Sequence, residues 1–344
     1  MDSSNLLEYL KKKYPQRKDL KILNLKNITS GWETEIRSFD LEWEESNEVI
    51  LNPLVIRIFP GNRVEEKAKK EFTFMKELHN LNYPVPTVYL FETDYSIIGH
   101  PFIIMERISG GTIEDRIDME NESLPYWLDV MCRLFVDLHN TNWESLVSEE
   151  DRERYRERDN DYFIINDILS DYRAALKHTN SQIFLPIVEW LEERKELVPC
   201  EKPSIVHRDF HAMNVLLDEN DNPIVIDWGA AGVSDSRVDT AWSLLLYFAY
   251  GTIERRNDLL ARYEKALGRK VEHIEYFEVI ACLRRLHDVY ISLTQGAHEY
   301  GLRPEAVEMM KSSIQHVVNV RNRLNDLTGI VIPDIDRMIE EIVG

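Results

Sequence analysis

Between Ser204 and Ile226 the chain sets three short apolar runs, Ser204-Ile205-Val206, Val215-Leu216-Leu217-Asp218 and Pro223-Ile224-Val225-Ile226, into a region that otherwise reads as helix. Short runs of this kind, parted by polar turns, predict brief strands. The segments His207 to Asn214 and Asp227 to Gly229 therefore fall on loops beside those strands. Polar side chains held on loops by a rigid apolar scaffold are the usual setting for chemistry.

The rest of the chain divides in character. Ile22 to Asn27, Glu35 to Trp43 and Pro53 to Phe59 read as strands, with a turn at Thr29-Ser30-Gly31-Trp32 between the first two. Arg63 to His79 carries Ala68, Phe72, Met75 and Leu78 at helical spacing. The pair of prolines in Tyr83-Pro84-Val85-Pro86 ends that helix, and Thr87 to Glu92 and Pro101 to Glu106 read as two further strands. Beyond Ser109-Gly110-Gly111 the pattern is helical, including Leu124 to His139, Ile165 to Lys177, Phe184 to Leu197, Thr240 to Ala249 and Val279 to Leu293. An α+β fold is expected, with a β-rich part over 1–106 holding one helix and a mainly helical part over 107–344.

Composition narrows the class of partner. The formal net charge of -20 argues against nucleic acid, whose binding needs clustered Lys and Arg. No apolar run approaches the roughly 20 residues that cross a bilayer, and the N-terminal stretch lacks the apolar core of a secretion signal, so a cytoplasmic location without membrane contact is expected. Cys132, Cys200 and Cys282 lie too far apart to suggest a disulfide framework or a zinc site.

His207-Arg208-Asp209 followed by Asn214 fits the pattern H-R-D-x-x-x-x-N, and Asp227 of Ile226-Asp227-Trp228-Gly229 follows 13 positions after the Asn. Two such motifs in order are far more specific than either alone. Phosphoryl transfer asks the protein for a group that positions the attacking hydroxyl and for metal ions that neutralise the phosphates. Asp209 suits the first task. Asn214 and Asp227 offer the hard oxygen ligands that Mg²⁺ takes alongside phosphate oxygens and water.

With these motifs the chain resembles the aminoglycoside phosphotransferase family, within the wider protein-kinase-like superfamily. The likeness runs through Ser30-Gly31-Trp32-Glu33-Thr34, Leu54-Val55-Ile56-Arg57, Tyr83-Pro84-Val85-Pro86, Pro101 to Gly111, the two loops above and Arg237-Val238-Asp239-Thr240. It implies a bilobal protein-kinase-like fold, with a small antiparallel sheet and one helix in the N-terminal lobe and ATP and Mg²⁺ as cofactors. On that resemblance Ser30, Gly31 and Trp32 form the turn covering the nucleotide, and Arg57 stands where a Lys normally meets the phosphates. Glu71 pairs with Arg57, while Met105-Glu106-Arg107-Ile108 forms the hinge where backbone groups meet adenine. His207 and Arg208 support the loop, and Asp239 braces it from the start of a helix.

Two readings compete with a small-molecule kinase. His-Arg-Asp is the protein-kinase spelling, but only 12 positions part Asp227 from Asp239, too few for an activation segment. A nucleotide-binding pseudokinase is the alternative suggested by Arg57 and the glycine-poor turn. Acceptors in the resembling family include aminoglycosides, macrolides, choline and homoserine, with specificity set by helices of the C-terminal lobe. Here Glu144, Glu149, Asp161 and Asp167, with Tyr155, Tyr162 and Tyr172, suggest an acidic, aromatic wall suited to an amine-bearing substrate.

Overall fold

The structure, a computed structural model, describes residues 3–28, 34–61, 64–117, 124–156, 161–295 and 304–343. Packing divides the chain into two compact units, Met1–Gly111 with Leu216–Gly229, and Thr112–Val215 with Ala230–Gly344. A linear division after Glu106 leaves 107–111 and 216–229 with the helical part; packing places both with the sheet. Gly110 explains the difference. A Cβ there would stand 2.0 Å from the Leu217 carbonyl oxygen, and the Leu217 N–H donates to the Gly111 carbonyl at 2.9 Å. Only glycine admits so close a backbone approach.

The first unit runs α1 (Ser3–Lys13), β1 (Lys18–Ile28), β2 (Glu35–Glu45), β3 (Glu48–Ile58), α2 (Glu65–Asn80), β4 (Val88–Glu92), the short α3 (Tyr95–Ile98) and β5 (Phe102–Glu106). The strands form one antiparallel sheet in the order β1-β2-β3-β5-β4. Phe39, Leu41 and Trp43 of β2 and Leu54, Ile56 and Ile58 of β3 alternate onto one face, as period-2 strands require, and bury there with Leu6 and Leu10 of α1. The β2–β3 connection is a two-residue loop in which Ser46 and Asn47 both hold positive φ, 52° and 65°. That geometry matches the twist of a hairpin, and Asn tolerates it well. It extends β3 five residues ahead of the strand expected from Pro53.

Helix α1 is an addition to the single helix expected in this region. Its Leu6, Tyr9 and Leu10 fall on one face at helical spacing and are buried, and Tyr9 meets the edge of Phe102 with ring centroids 5.6 Å apart.

The second unit is mainly helical: α4 (Ile113–Arg116), α5 (Leu124–Asn140), α6 (Glu149–Arg156), α7 (Phe163–His178) and α8 (Leu185–Glu192) precede β6 (Ser204–Val206). The chain then passes into the first unit to form the hairpin of β7 (Val215–Leu217) and β8 (Pro223–Val225), and returns with β9 (Gly232–Ser234). The remaining helices are α9 (Ser236–Ala249), α10 (Ile253–Leu267), α11 (Ile274–Thr294), α12 (Pro304–Ser312), α13 (Gln315–Thr328) and α14 (Pro333–Val343). Among the described residues none of the helices is long and apolar enough to cross a membrane. The continuous helix expected over Phe184 to Leu197 ends earlier, because after Glu192 the backbone tightens to i→i−3 bonds from Arg194 to Leu191 and from Leu197 to Arg194.

Helix α9 packs against α10, α11 and α13. A buried charge network fastens three of these helices together. Glu278 of α11 accepts from Nε and Nη2 of Arg256 at 3.0 and 2.7 Å and from Nη2 of Arg323 at 2.7 Å. One buried carboxylate thus pairs with guanidiniums from both α10 and α13.

Candidate active site

The expected short strands frame the motif loop within the second unit. β6 pairs antiparallel with β9, Ser204 opposite Ser234 and Val206 opposite Gly232, and the loop leaves β6 at His207. Two successive backbone N–H groups, of His207 and Arg208, donate to the two carboxylate oxygens of Asp239, each at 2.6 Å. Asp239 is fully buried in the first turn of α9. Its Oδ2 also lies 3.3 Å from Nε2 of His139, whose Nδ1 is 2.7 Å from the Tyr263 hydroxyl. Such a clamp holds Arg208 at φ 66°, a left-handed conformation uncommon for a long side chain and sustained only where the surroundings over-determine it. The bracing expected of Asp239 is thereby present.

The strained turn delivers Asp209 into a ring of donors. Its backbone N–H donates to Nδ1 of His207 at 3.3 Å, and its Oδ1 accepts from the indole Nε1 of Trp242 at 2.9 Å. Asn214 donates through Nδ2 to the Asp209 carbonyl at 2.9 Å and reaches Oδ2 at 3.4 Å. His211 Nε2 stands 3.6 Å from that Oδ2. Phe210, stacked on Phe135 with centroids 4.3 Å apart, anchors the loop in the core. Burial raises the affinity of Asp209 for a proton, yet the hydrogen bond and charge of His211, the Trp242 N–H and the Arg284 charge outweigh it and hold the carboxyl well below the usual carboxylate range. About a third of the side chain, 36%, remains exposed. An ionised, anchored and reachable carboxylate results.

The first unit holds the second set of motif residues. Arg57 on β3 spans two carboxylates: Nη1 meets Glu71 of α2 at 2.9 Å and Nη2 meets Oδ1 of Asp227 at 2.8 Å. A guanidinium fork can do this in one plane, whereas an ammonium is a point charge. Glu71 is 1% exposed and Asp227 44% exposed. Asp227 sits at φ 68°, just before Trp228, whose indole donates to the Val225 carbonyl at 3.0 Å and whose ring meets Tyr83 edge-on.

Glu106 closes β5. Its N–H donates to the Thr87 carbonyl at 2.9 Å, and its Oε2 accepts from the Thr87 N–H at 3.1 Å. Ile108 is half-buried beyond it. Ser30, Gly31 and Trp32 lie outside the described residues.

Three of the four acids named for a wall on the helical side hold arginines. Glu144 pairs with Arg156 at 2.7 Å, Glu149 with Arg152 at 2.8 Å, and Asp167 with Arg154. Tyr155 spends its hydroxyl on the Val233 carbonyl at 3.1 Å and Tyr162 on the Glu196 carbonyl at 3.0 Å. Three further site residues escaped the sequence reading. Trp242 lies three positions after Asp239, hence one turn along the same helix face. Lys67, four before Glu71, brings its Cε within 3.5 Å of where a Gly229 side chain would begin. Arg284 places its guanidinium 3.9 Å over the Trp242 ring.

Matching residues 25–279, the chain belongs to the phosphotransferase enzyme family. It is 29% identical over 207 residues to the mouse (Mus musculus) acyl-CoA dehydrogenase family member 10, across 57% of this chain and 18% of that protein. The chain thus spans about a fifth to a quarter of the length of the first curated relatives it matches. Its fold is shared with a thermostable mutant of the aminoglycoside phosphotransferase APH(4)-Ia in ternary complex with AMP-PNP and hygromycin B (TM-score 0.61, 16% identity, 94% and 98% of the two chains). It is shared also with an ethanolamine kinase of Plasmodium vivax (TM-score 0.60, 14% identity, 96% and 88%).

Proposed function

We propose that the protein transfers the γ-phosphate of ATP to a hydroxyl of a small molecule. The observation that carries this reading is Asp209, fixed from both sides by Trp242 and Asn214 yet open to solvent. Asp209 accepts the hydrogen bond of the incoming hydroxyl and aims its oxygen at phosphorus. As the O–P bond forms and the bond to the departing ADP breaks, the hydroxyl proton passes to the Asp209 carboxylate. A carboxylate held this far below the usual range is a weak base, so orientation outweighs proton abstraction in its contribution.

The remaining roles follow the donor chemistry. Asn214 commits Nδ2 to Asp209, which reserves Oδ1 as a hard ligand, and Asp227 offers a half-exposed carboxylate. Both fit Mg²⁺, which when bound neutralises charge on the phosphates. Arg57 contacts the phosphates and Glu71 positions Arg57. Backbone groups at Glu106 and Ile108 meet adenine, and Ser30, Gly31 and Trp32 cover the nucleotide. The reaction is read as cytoplasmic. That AMP-PNP and ADP accompany the relatives APH(4)-Ia supports nucleotide use.

A second reading, a nucleotide-binding pseudokinase, is favoured by the hold of Arg57 on Asp227. Two measurements separate them. Titration calorimetry with Mg-ATP reports binding, and coupled ADP release across a panel of hydroxyl compounds reports turnover. Binding with acceptor-dependent ADP release that Asp209→Ala abolishes is the expected result. Binding without turnover favours the pseudokinase, and turnover that survives Asp209→Ala removes Asp209 from its role.

A further inference from the structure

A guanidinium braces the loop that carries Asp209. Arg284 of α11 donates through Nη1 to the carbonyl of Arg208 at 2.6 Å, while its guanidinium lies 3.9 Å over Trp242, the residue whose N–H holds Asp209. Its one carboxylate partner among the described residues, Asp288, is 3.9 Å away and 53% exposed. An ion pair that long and wet neutralises little.

Arg208 is more unusual. No carboxylate among the described residues pairs with its guanidinium, and its Nε is sealed from solvent without a hydrogen-bond partner. Several other arginines of this unit, Arg152, Arg154, Arg156, Arg256 and Arg323, each hold an acid. In a chain with 61 acids against 41 basic residues, an unclaimed guanidinium next to the motif aspartate stands out. A buried N–H donor with no acceptor is unfavourable until something supplies one. Tyr172 lies within electrostatic reach of Arg208, Arg284 and Asp288, and its own hydroxyl is pushed up to about 12 chiefly by burial. The Tyr155 ring is packed between Trp143 and Phe163.

We propose that the acceptor is an anion: a small hydroxyl compound bearing a carboxylate or a phosphate monoester, which Arg208 and Arg284 receive beside Asp209. Guanidiniums suit both groups because their fork matches planar or tetrahedral oxyanions. The proposal rests on the phosphotransferase reading, with the bond changes given above. It replaces the amine-bearing acceptor suggested by composition alone.

The test is ADP release from Mg-ATP with four matched sets of acceptors: short hydroxy acids, hydroxyl-bearing phosphate monoesters, neutral diols and amino alcohols. Turnover of one or both anionic sets at lower KM than the diols is expected, and which set wins identifies the anion. Arg208→Gln, whose guanidinium supports no other described side chain, is expected to raise the KM of the anionic acceptor about tenfold or more, with the KM for ATP unmoved. Arg284→Lys, which keeps the charge and loses the fork, is expected to raise it less. Turnover confined to amino alcohols or diols, or an anionic acceptor whose KM ignores Arg208→Gln, overturns this proposal alone. Absence of turnover in all four sets, with Mg-ATP bound, overturns the phosphotransferase reading and this proposal with it.

Discussion

Trp242 donates its indole N–H to Oδ1 of Asp209 at 2.9 Å from within α9, the same helix whose Asp239 clamps the loop backbone. One helix therefore sets both the path of the loop and the rotamer of its carboxylate. Trp242→Phe keeps a ring for Arg284 to stack on and removes the donor. A charge-assisted hydrogen bond of this kind contributes about 1.5–3 kcal/mol. With Asp209 as the hydroxyl-orienting group, kcat should fall roughly tenfold to a hundredfold with the KM for ATP unchanged; an unchanged kcat would remove Trp242 from positioning.

Arg57 holds Glu71 and Asp227 at once. Arg57→Lys retains the charge but cannot reproduce the fork, so the nearly buried Glu71 loses part of its compensation. A stability loss of about 1–3 kcal/mol in denaturant unfolding is expected. An unchanged midpoint would mean that Lys67 or another neighbour carries that burden.

Helices α10, α11 and α13 meet on Glu278, which is fully buried between Arg256 and Arg323. Removing the acid leaves two guanidiniums facing each other without a counter-charge. Glu278→Ala should cost about 3–5 kcal/mol, read as a lower denaturation midpoint. A loss below 1 kcal/mol would show that water reaches the site, on the scale of an exposed pair.

His316 gives the fold a defined response to acid. It donates from Nδ1 to the Ser313 carbonyl, accepts at Nε2 from Arg285 at 2.9 Å and stacks on Tyr250. Burial, followed by the Arg285 charge, lowers its pKa to about 4. The unfolded chain protonates this histidine near pH 6.5 while the folded protein does not. Its contribution to stability is therefore full above that pH and declines as pH falls toward 4. Unfolding midpoints followed from neutral pH to pH 4 should drop more for the wild type than for His316→Gln. Parallel curves would contradict the assignment.

Much of the fold was legible where periodicity is strict. Leu54, Ile56 and Ile58 announced β3, and His207 to Asn214 announced the loop, because local pattern and motif spacing decide both. Helix α1 was not read, since three leucines and a tyrosine in 11 residues give a short signal whose worth depends on the sheet it covers. Long-range pairing was equally hidden. Arg57 and Asp227 are 170 positions apart, and nothing local in Glu144 reveals that Arg156 neutralises it. Composition named four acids there, and three of them, Glu144, Glu149 and Asp167, hold arginines.

The central claim is that Asp209 directs a hydroxyl onto the γ-phosphate. Single-turnover transfer from γ-³²P-ATP, comparing wild type with Asp209→Asn, tests it most directly. Label should appear in an organic phosphate ester with the wild type, and its transfer should fall by a factor of about 10² or more in the variant, a loss within the range of acid–base catalysis, while Mg-ATP affinity is retained. Equal transfer rates, or label released only to water by both proteins, would contradict it.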